Sequence, residues 1–495
     1  MGKITDILRA SVPTVPLCMS GIAAMLGVLT APAQKQPNIL LLVSDDHSAF
    51  AMGCDGNPDV KTPNIDRLAS QGVRFSRCYA ASPQSVLSRA SIMTGRTPVA
   101  VNMSRFSVPL ARRYRTFPED LREAGYYTGL AGRGYHLDGP VSGITGRPGR
   151  IRIVADYYKE HDMVTFPDRV DTCMVVIDAI KGETHGQSNR QFHAFMESRD
   201  KDKPFFLQLC YADPHTPYDA PSVHDPASLT LPPYYPDTDG VRRHLAAYYD
   251  EVNRLDSDIG EILDYLDTSG LAENTIVMFT GDNGGAQFMG KGTLYDPGIR
   301  VPMIIRWPGH IAPGVCDAVV SNMDISATCL DVSGVKPSSE MEGVSFLRTI
   351  AGETPADRYV FSQRANHGTN ALPHDTSCFD QQRCIVGERY KLIYNILPQE
   401  ACVPVDVAAY PHFVELKQMN DSGLLAPEFS KLYFSPTRPM FELYDIEADP
   451  YETVNLFDNP DMRDVRDNLV RRLTYKMIDD EDFCALPHPV IYEKR

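Results

Sequence analysis

A chain of 495 residues has room for one large domain and a smaller appendix. With 43% hydrophobic and 23% charged residues, it is neither disordered nor fibrous and can bury a sizeable core. Its net charge of −16 excludes attraction to nucleic acid or anionic membranes through the overall field, so an anionic ligand would need a local cluster of positive groups.

In chain order, residues 1–33 read as a secretory signal. Lys3 and Arg9 form a positive start, an apolar stretch runs from Val15 to Leu29, and Ala31-Pro32-Ala33 offers small residues for cleavage. Pro13, Pro16 and the shortness of the run argue against a permanent span. A secreted or periplasmic location is expected, without stable membrane insertion. Eleven cysteines are scattered with no CxxC pair, which predicts few disulfides, with Cys210 and Cys329 as core thiols.

Three short apolar runs then read as buried parallel strands, each ending in polar residues. Asn38 to Val43 ends in Ser44-Asp45-Asp46, Phe205 to Cys210 leads to Asp213-Pro214-His215, and Thr275 to Phe279 ends in Thr280-Gly281-Asp282-Asn283. Helical patterns such as Pro63–Gln71 and Tyr248–Ser269 lie between them, so the fold class is α/β with a mostly parallel central sheet flanked by helices. Ligands bind beyond the carboxyl ends of such strands, where all three polar clusters fall. Residues 138–200 resist assignment and read as loops over the site. After about residue 355, Gln382–Asn395 alternates like a hairpin, Pro439–Asp445 reads as a strand and Asp458–Ile478 as a helix. The expected division is a catalytic α/β domain over 34–355 and a smaller C-terminal α+β subdomain with an antiparallel sheet over 356–495.

Asp45, Asp46, Asp282 and Asn283 supply carboxylate and amide oxygens, a hard donor set suited to calcium, or magnesium, rather than zinc. Taken singly, each pair also reads as a helix cap or a turn. The second constellation is Ser85 to Arg96, S-V-L-S-R-A-S-I-M-T-G-R. Together with N-I-L-L-L-V-S-D-D-H, T-P-N-I-D-R-L-A, G-D-N-G-G, G-K-G-T-L-Y-D-P-G-I-R-V-P and F-E-L-Y-D-I-E-A-D-P, in order over roughly residues 37–457, it resembles the type I sulfatase family of the alkaline-phosphatase-like superfamily.

That resemblance implies hydrolysis of a sulfate ester, with Ser85 oxidised to formylglycine (3-oxoalanine) by a radical-type maturase. The aldehyde hydrates to a diol: one oxygen attacks sulfur, and deprotonation of the other later ejects sulfate. By the same resemblance Arg89 holds the anionic groups, and Gly132-Arg133-Gly134-Tyr135-His136 stands for the family's G-K-x-H loop, with Arg133 in place of the lysine and one extra residue, and with His136 as the base. His215 and Lys291 serve the leaving group. Arg364, His367 and His374 are candidate substrate contacts in a polar loop. With a divalent cation, Arg89, Arg133 and Lys291, the positive charges exceed Asp45, Asp46 and Asp282 by two units, which would admit a sulfated small molecule or saccharide. Leu87 departs from the family, standing where Pro or Ala is usual. Two rivals remain: a phosphatase, phosphodiesterase or phosphonate hydrolase using Ser85 directly, and a non-catalytic glycan-binding descendant. Trp307 reads as core.

Overall fold

The computed structural model describes residues 36–103, 109–132, 160–161, 166–175, 186–354, 357–367, 380–402 and 405–482. The leader lies outside this set, as do Arg133, His136 and His374. No described helix is long and apolar enough to cross a membrane.

Strand β1, Asn38–Ser44, is buried along its whole length. Its apolar run carries no alternation because each face of the sheet has its own core. Ile39, Leu41 and Val43 pack with Phe117, Leu121, Ile325 and Leu330 on one face. Leu40 and Leu42 pack on the other with Ile65 and Leu68 of helix α1, Pro63–Ser70, and with Leu255, Ile259 and Leu263 of the long helix Asp239–Thr268. Each such side chain contributes roughly 1.5–3 kcal/mol on burial. The remaining strands of this sheet are β2 (Val73–Phe75), β4 (Tyr127–Gly132), β5 (Thr172–Val175), β6 (Phe205–Cys210), β7 (Thr275–Gly281), β8 (Met303–Arg306) and β9 (Gly314–Cys316). Cys78–Tyr79, β3, pairs separately with Val320–Ser321, β10.

The sheet order is β5-β4-β6-β1-β7-β8-β2-β9. From β5 to β7 every pairing is parallel, and β8 is antiparallel to both its neighbours. The register sets Ser44 of β1 opposite Gly281 of β7 and Val43 opposite Cys210 of β6. Three polar segments therefore leave the sheet side by side at one edge.

Three elements differ from the sequence reading, one of them β5, which lies within residues 138–200. The long helix begins at Asp239, well before Tyr248: Thr238 caps it by accepting from the Val241 amide at 3.2 Å, and Val241, Leu245 and Ala246 are already buried along this added stretch. Gln187–Ser198, within the stretch read as loops, is a helix that buries Phe192 and Phe195.

The second sheet is antiparallel, β11 (Val360–Arg364), β12 (Gln382–Val386), β13 (Tyr390–Asn395) and β14 (Phe441–Asp445). The helix Arg463–Asp479 covers one face through Leu469, Leu473 and Met477. Cys384, Val386 and Ile393 on the other face meet Tyr79, Leu294 and Ile299. Lys391, fully buried on β13, is shared by Asp296 and by Glu452 at 2.6 Å. This ties the segment after Lys291 to the second sheet. Cys210 and Cys329 are buried, and every described cysteine is a free thiol. Trp307 packs against the core of the first face.

Candidate active site

The floor of the site is built where β1 and β7 end together. Asp45, Asp46, Asp282 and Asn283 are fully buried there. Asp46 takes a left-handed backbone conformation, φ 62°, a region Asp tolerates better than most side chains. Its amide then donates to Asp282 Oδ1 at 3.0 Å, and the Asn283 amide donates to the same oxygen at 2.8 Å. Asn283 Nδ2 donates to Asp46 Oδ1 at 2.9 Å. The two glycines after Asn283 permit this crowding. A Cβ on Gly284 would lie 1.9 Å from the Pro297 carbonyl oxygen, and one on Gly285 2.8 Å from the Tyr248 hydroxyl. That hydroxyl donates to the Asp46 carbonyl at 3.1 Å.

Burial pushes the Asp46 carboxyl up to about 6 against the opposing pull of Lys291. Burial, with Asp45 adding to it, pushes Asp282 up to about 7 although Arg89 opposes the shift. Three carboxylates crowded out of water are costly unless positive charge joins them. The donor set therefore fits a hard divalent cation. Asp45, Asp46 and His215 can also bring one ligand atom each within 4.8 Å of one another. A histidine is a poor ligand for calcium, so the oxygen-only set is chemically the better match.

Ser85 opens helix α2, Ser85–Thr94, all of it buried. Its hydroxyl lies 3.3 Å from Asp45 Oδ1 and 3.0 Å from Asn283 Oδ1. One turn on, on the same helix face, Arg89 Nε donates to Asp282 Oδ2 at 2.9 Å and Nη2 lies 3.4 Å from Asp45 Oδ2. Burial works against the Arg89 charge, but Asp282 and Asp45 outweigh it and keep the guanidinium ionised. Leu87 points elsewhere, into a cluster with Val101, Met103, Leu110 and Ala365.

Across from Ser85 lies a rim carried by loops. Lys291, 2% exposed, donates to Asp46 Oδ2 at 2.9 Å and lies 3.0 Å from Asp406 Oδ2. Burial opposes the Lys291 charge, but Asp406, Asp46 and Asp45 outweigh it, so the ammonium holds its proton. Burial also pushes Asp406 upward, but Lys291, His367 and His215 outweigh it and hold this carboxyl below its usual range. The His215 Nε2 atom lies 3.6 Å from Asp46 Oδ2, and its Nδ1 bonds the Thr216 carbonyl. A carbonyl only accepts, so Nδ1 carries the hydrogen. His367 Nδ1 bonds Gln84 Nε2 at 3.1 Å, while Gln84 Oε1 accepts from the Ala365 amide at 2.8 Å.

The structure thus gathers Asp45, Asp46, Ser85, Arg89, His215, Asp282, Asn283, Lys291 and His367. Arg364 differs from expectation. It is the last residue of β11 rather than part of a loop, 1% exposed, and lies 2.9 Å from Asp380, which also holds Arg438 at 2.7 Å. Asp406 and Gln84 were missed. Gln84 immediately precedes Ser85, and Asp406 stands alone in the apolar run A-C-V-P-V-D-V-A-A, where an isolated charge was a readable signal. Asp406 also lowers the expected positive surplus of the pocket by one unit.

A family model described as Sulfatase matches residues 37–335. A second, described as N-sulphoglucosamine sulphohydrolase, C-terminal, matches residues 284–422. The chain is 27% identical to an ulvan-active sulfatase of Formosa agariphila, over 93% of this chain and 78% of that one. It is also 27% identical to the Homo sapiens N-sulphoglucosamine sulphohydrolase, over 97% of each. Its fold matches the solved structure of BT4656 in complex with D-glucosamine-2-N,6-O-disulfate, with TM-score 0.66 and 21% identity over 91% of this chain and 99% of that one. With the family model spanning more than half its length, this chain belongs to the sulfatase family and is a sulfuric ester hydrolase.

Proposed function

We propose that this enzyme removes sulfate from a sulfated saccharide, using a formylglycine formed at Ser85 and a bound calcium ion. One observation carries the reading. Ser85 Oγ stands within 3.3 Å of both Asp45 and Asn283, with Arg89 one turn behind it on the same helix face. Asp45, Asp46, Asp282 and Asn283 would hold Ca²⁺, or Mg²⁺, which when bound supplies the positive charge that draws in the sulfate oxygens. Oxidation of Ser85 would supply a nucleophile able to release sulfate afterwards, which an unmodified serine cannot do.

The chain's own groups divide the remaining work. Arg89 stays cationic and is fixed by Asp282, so it orients the anion at the start of α2. Lys291 keeps its proton and serves the ester oxygen as a fixed donor rather than as a proton source. His215, held through Nδ1, presents Nε2 as the group that protonates the departing alcohol. Arg133 and His136 complete the assignment on the nucleophile side, by resemblance to the family loop. Leu87 faces away from Ser85, so this departure leaves the reacting side of α2 intact. The relatives named for ulvan and N-sulphoglucosamine support a saccharide substrate, and residues 1–33 support export.

The test is sulfate release by the full chain after expression with and without a radical maturase. Active protein should carry two hydrogens fewer at Ser85 by peptide mass, and chelation should stop it. Sustained turnover with Ser85 unmodified would overturn this mechanism.

A further inference from the structure

Asp406 is the central residue of a tight three-residue turn. Its backbone sits at φ 64°, ψ −47°, and the Val407 amide donates to the Val405 carbonyl at 2.7 Å. Such turns are rare and cost of order 1–3 kcal/mol, and they persist where surrounding structure holds them in place. Here Val405 and Val407 are both buried, and Val405 packs against Gly292, leaving no room for a side chain there. Tyr410, just beyond the turn, bonds the Thr216 hydroxyl at 2.6 Å, next to His215. The turn is thereby locked to both segments that carry the rim.

Its effect is to aim one carboxylate at the reacting side. Asp406 approaches Lys291 to 3.0 Å, yet its side chain is 36% exposed, whereas Asp46 on the same ammonium is 1% exposed. An ammonium has three N–H groups. Asp46 and Asp406 engage two, leaving one for the ester oxygen. Asp406 keeps its outer face open beside that position, and an ionised carboxylate can only accept hydrogen bonds. A hydroxyl or N–H neighbouring the ester satisfies it, whereas a second sulfate or carboxylate placed there is repelled.

Building on the sulfatase reading, we infer that Asp406 is a specificity-determining residue that reads a hydrogen-bond donor next to the scissile sulfate on the alcohol side of the substrate. The substrates it selects are sulfated polyols or amino sugars whose neighbouring position is an unsubstituted hydroxyl or amide. Alcohols lacking that donor are disfavoured.

The probes are monosulfated methyl hexopyranosides, each compared with its counterpart in which the hydroxyl nearest the ester is replaced by hydrogen. 4-Nitrophenyl sulfate is the control that has no such donor. Matured wild type should prefer the hydroxylated partner of the sugar it cleaves fastest by roughly 10–100-fold in kcat/KM, the range of a charge-assisted hydrogen bond. Asp406→Gly suits the left-handed backbone and should cut that preference below about threefold, a ratio in which any loss common to both partners cancels. Asp406→Asn, which keeps an acceptor oxygen, should fall between. An undiminished preference in folded Asp406→Gly, or no preference in a wild type that cleaves both partners, overturns this role and leaves the sulfatase reading standing. Failure of matured wild type on every probe, 4-nitrophenyl sulfate included, overturns both.

Discussion

The floor and the rim of this site are made in different ways. Asp45, Asp46, Asp282 and Asn283 follow directly from two neighbouring parallel strands whose register is set by seven paired positions, Asn38 to Ser44 against Thr275 to Gly281. His215, Lys291, His367 and Asp406 sit on loops separated by long stretches of chain, and are held by side-chain contacts and one strained turn rather than by a strand ladder. A strand pair cannot shift by one residue without driving every side chain into the core of the opposite face, which is packed for different residues. A loop can shift, so rim positions can vary with the substrate while the floor keeps its chemistry.

This contrast predicts that floor and rim variants fail differently. The largest loss is expected for Ser85→Ala, which should fall to background on every sulfate ester, activated or not. Next, Asp282→Ala should lose bound metal, because Asp282 also anchors Arg89 and the Asp46 amide. Inductively coupled plasma measurement of calcium per chain should read near zero, and aryl and alkyl sulfates should be lost together. Full activity of a metal-free preparation would refute the floor assignment.

Rim variants should discriminate between substrates instead. His215→Ala should slow alkyl or sugar sulfates by about 10²–10⁴-fold, and aryl sulfates far less, since a good leaving group needs no proton. Lys291→Ala should cost about 10²–10³-fold on the same poor leaving groups. Equal losses on both substrate types would place these residues in the floor's work rather than the rim's.

The smallest effect concerns stability. His412, in the first turn of the helix Pro411–Asp421 just beyond Asp406, stacks on His244, with ring centroids 4.0 Å apart. Burial pushes His412 down to about 3 and His244 to about 4. Both rings stay neutral in the folded chain, while an unfolded histidine takes up a proton near pH 6.5. Between those values the unfolded state binds more protons, so stability rises with pH and is lost on acidification below about 6.5. The slope approaches about 1.4 kcal/mol per pH unit for each histidine. Urea midpoints at pH 5 and pH 7 should differ less in His412→Phe than in wild type. Hydrogen exchange at low pH should rise around residues 407–421 before it rises in β1 or β7.

Much of this site was legible before any coordinates. The strands around Leu41, Leu207 and Met278 announce themselves because burial on both faces demands unbroken apolar runs, and polar residues directly after such runs fall where parallel sheets bind ligands. Ser85 and Arg89 are four residues apart, so a helix alone brings them to one face. The early start of the long helix was missed although Thr238 offers a cap and Val241, Leu245 and Ala246 stand at helical spacing.

What the sequence determined by itself is therefore local: strand and helix identity, the oxygen-rich donor set, and the helix that bears Ser85 and Arg89. Tertiary structure alone decided that Arg364 lies buried beside Asp380 at the end of β11, and that Asp406 reaches Lys291 across 115 positions of chain. Such contacts arise when separate cores close on one another. Their distances depend on how the second sheet and the turn at Asp406 pack against the loops of the first sheet, and no short-range pattern of residues encodes that packing.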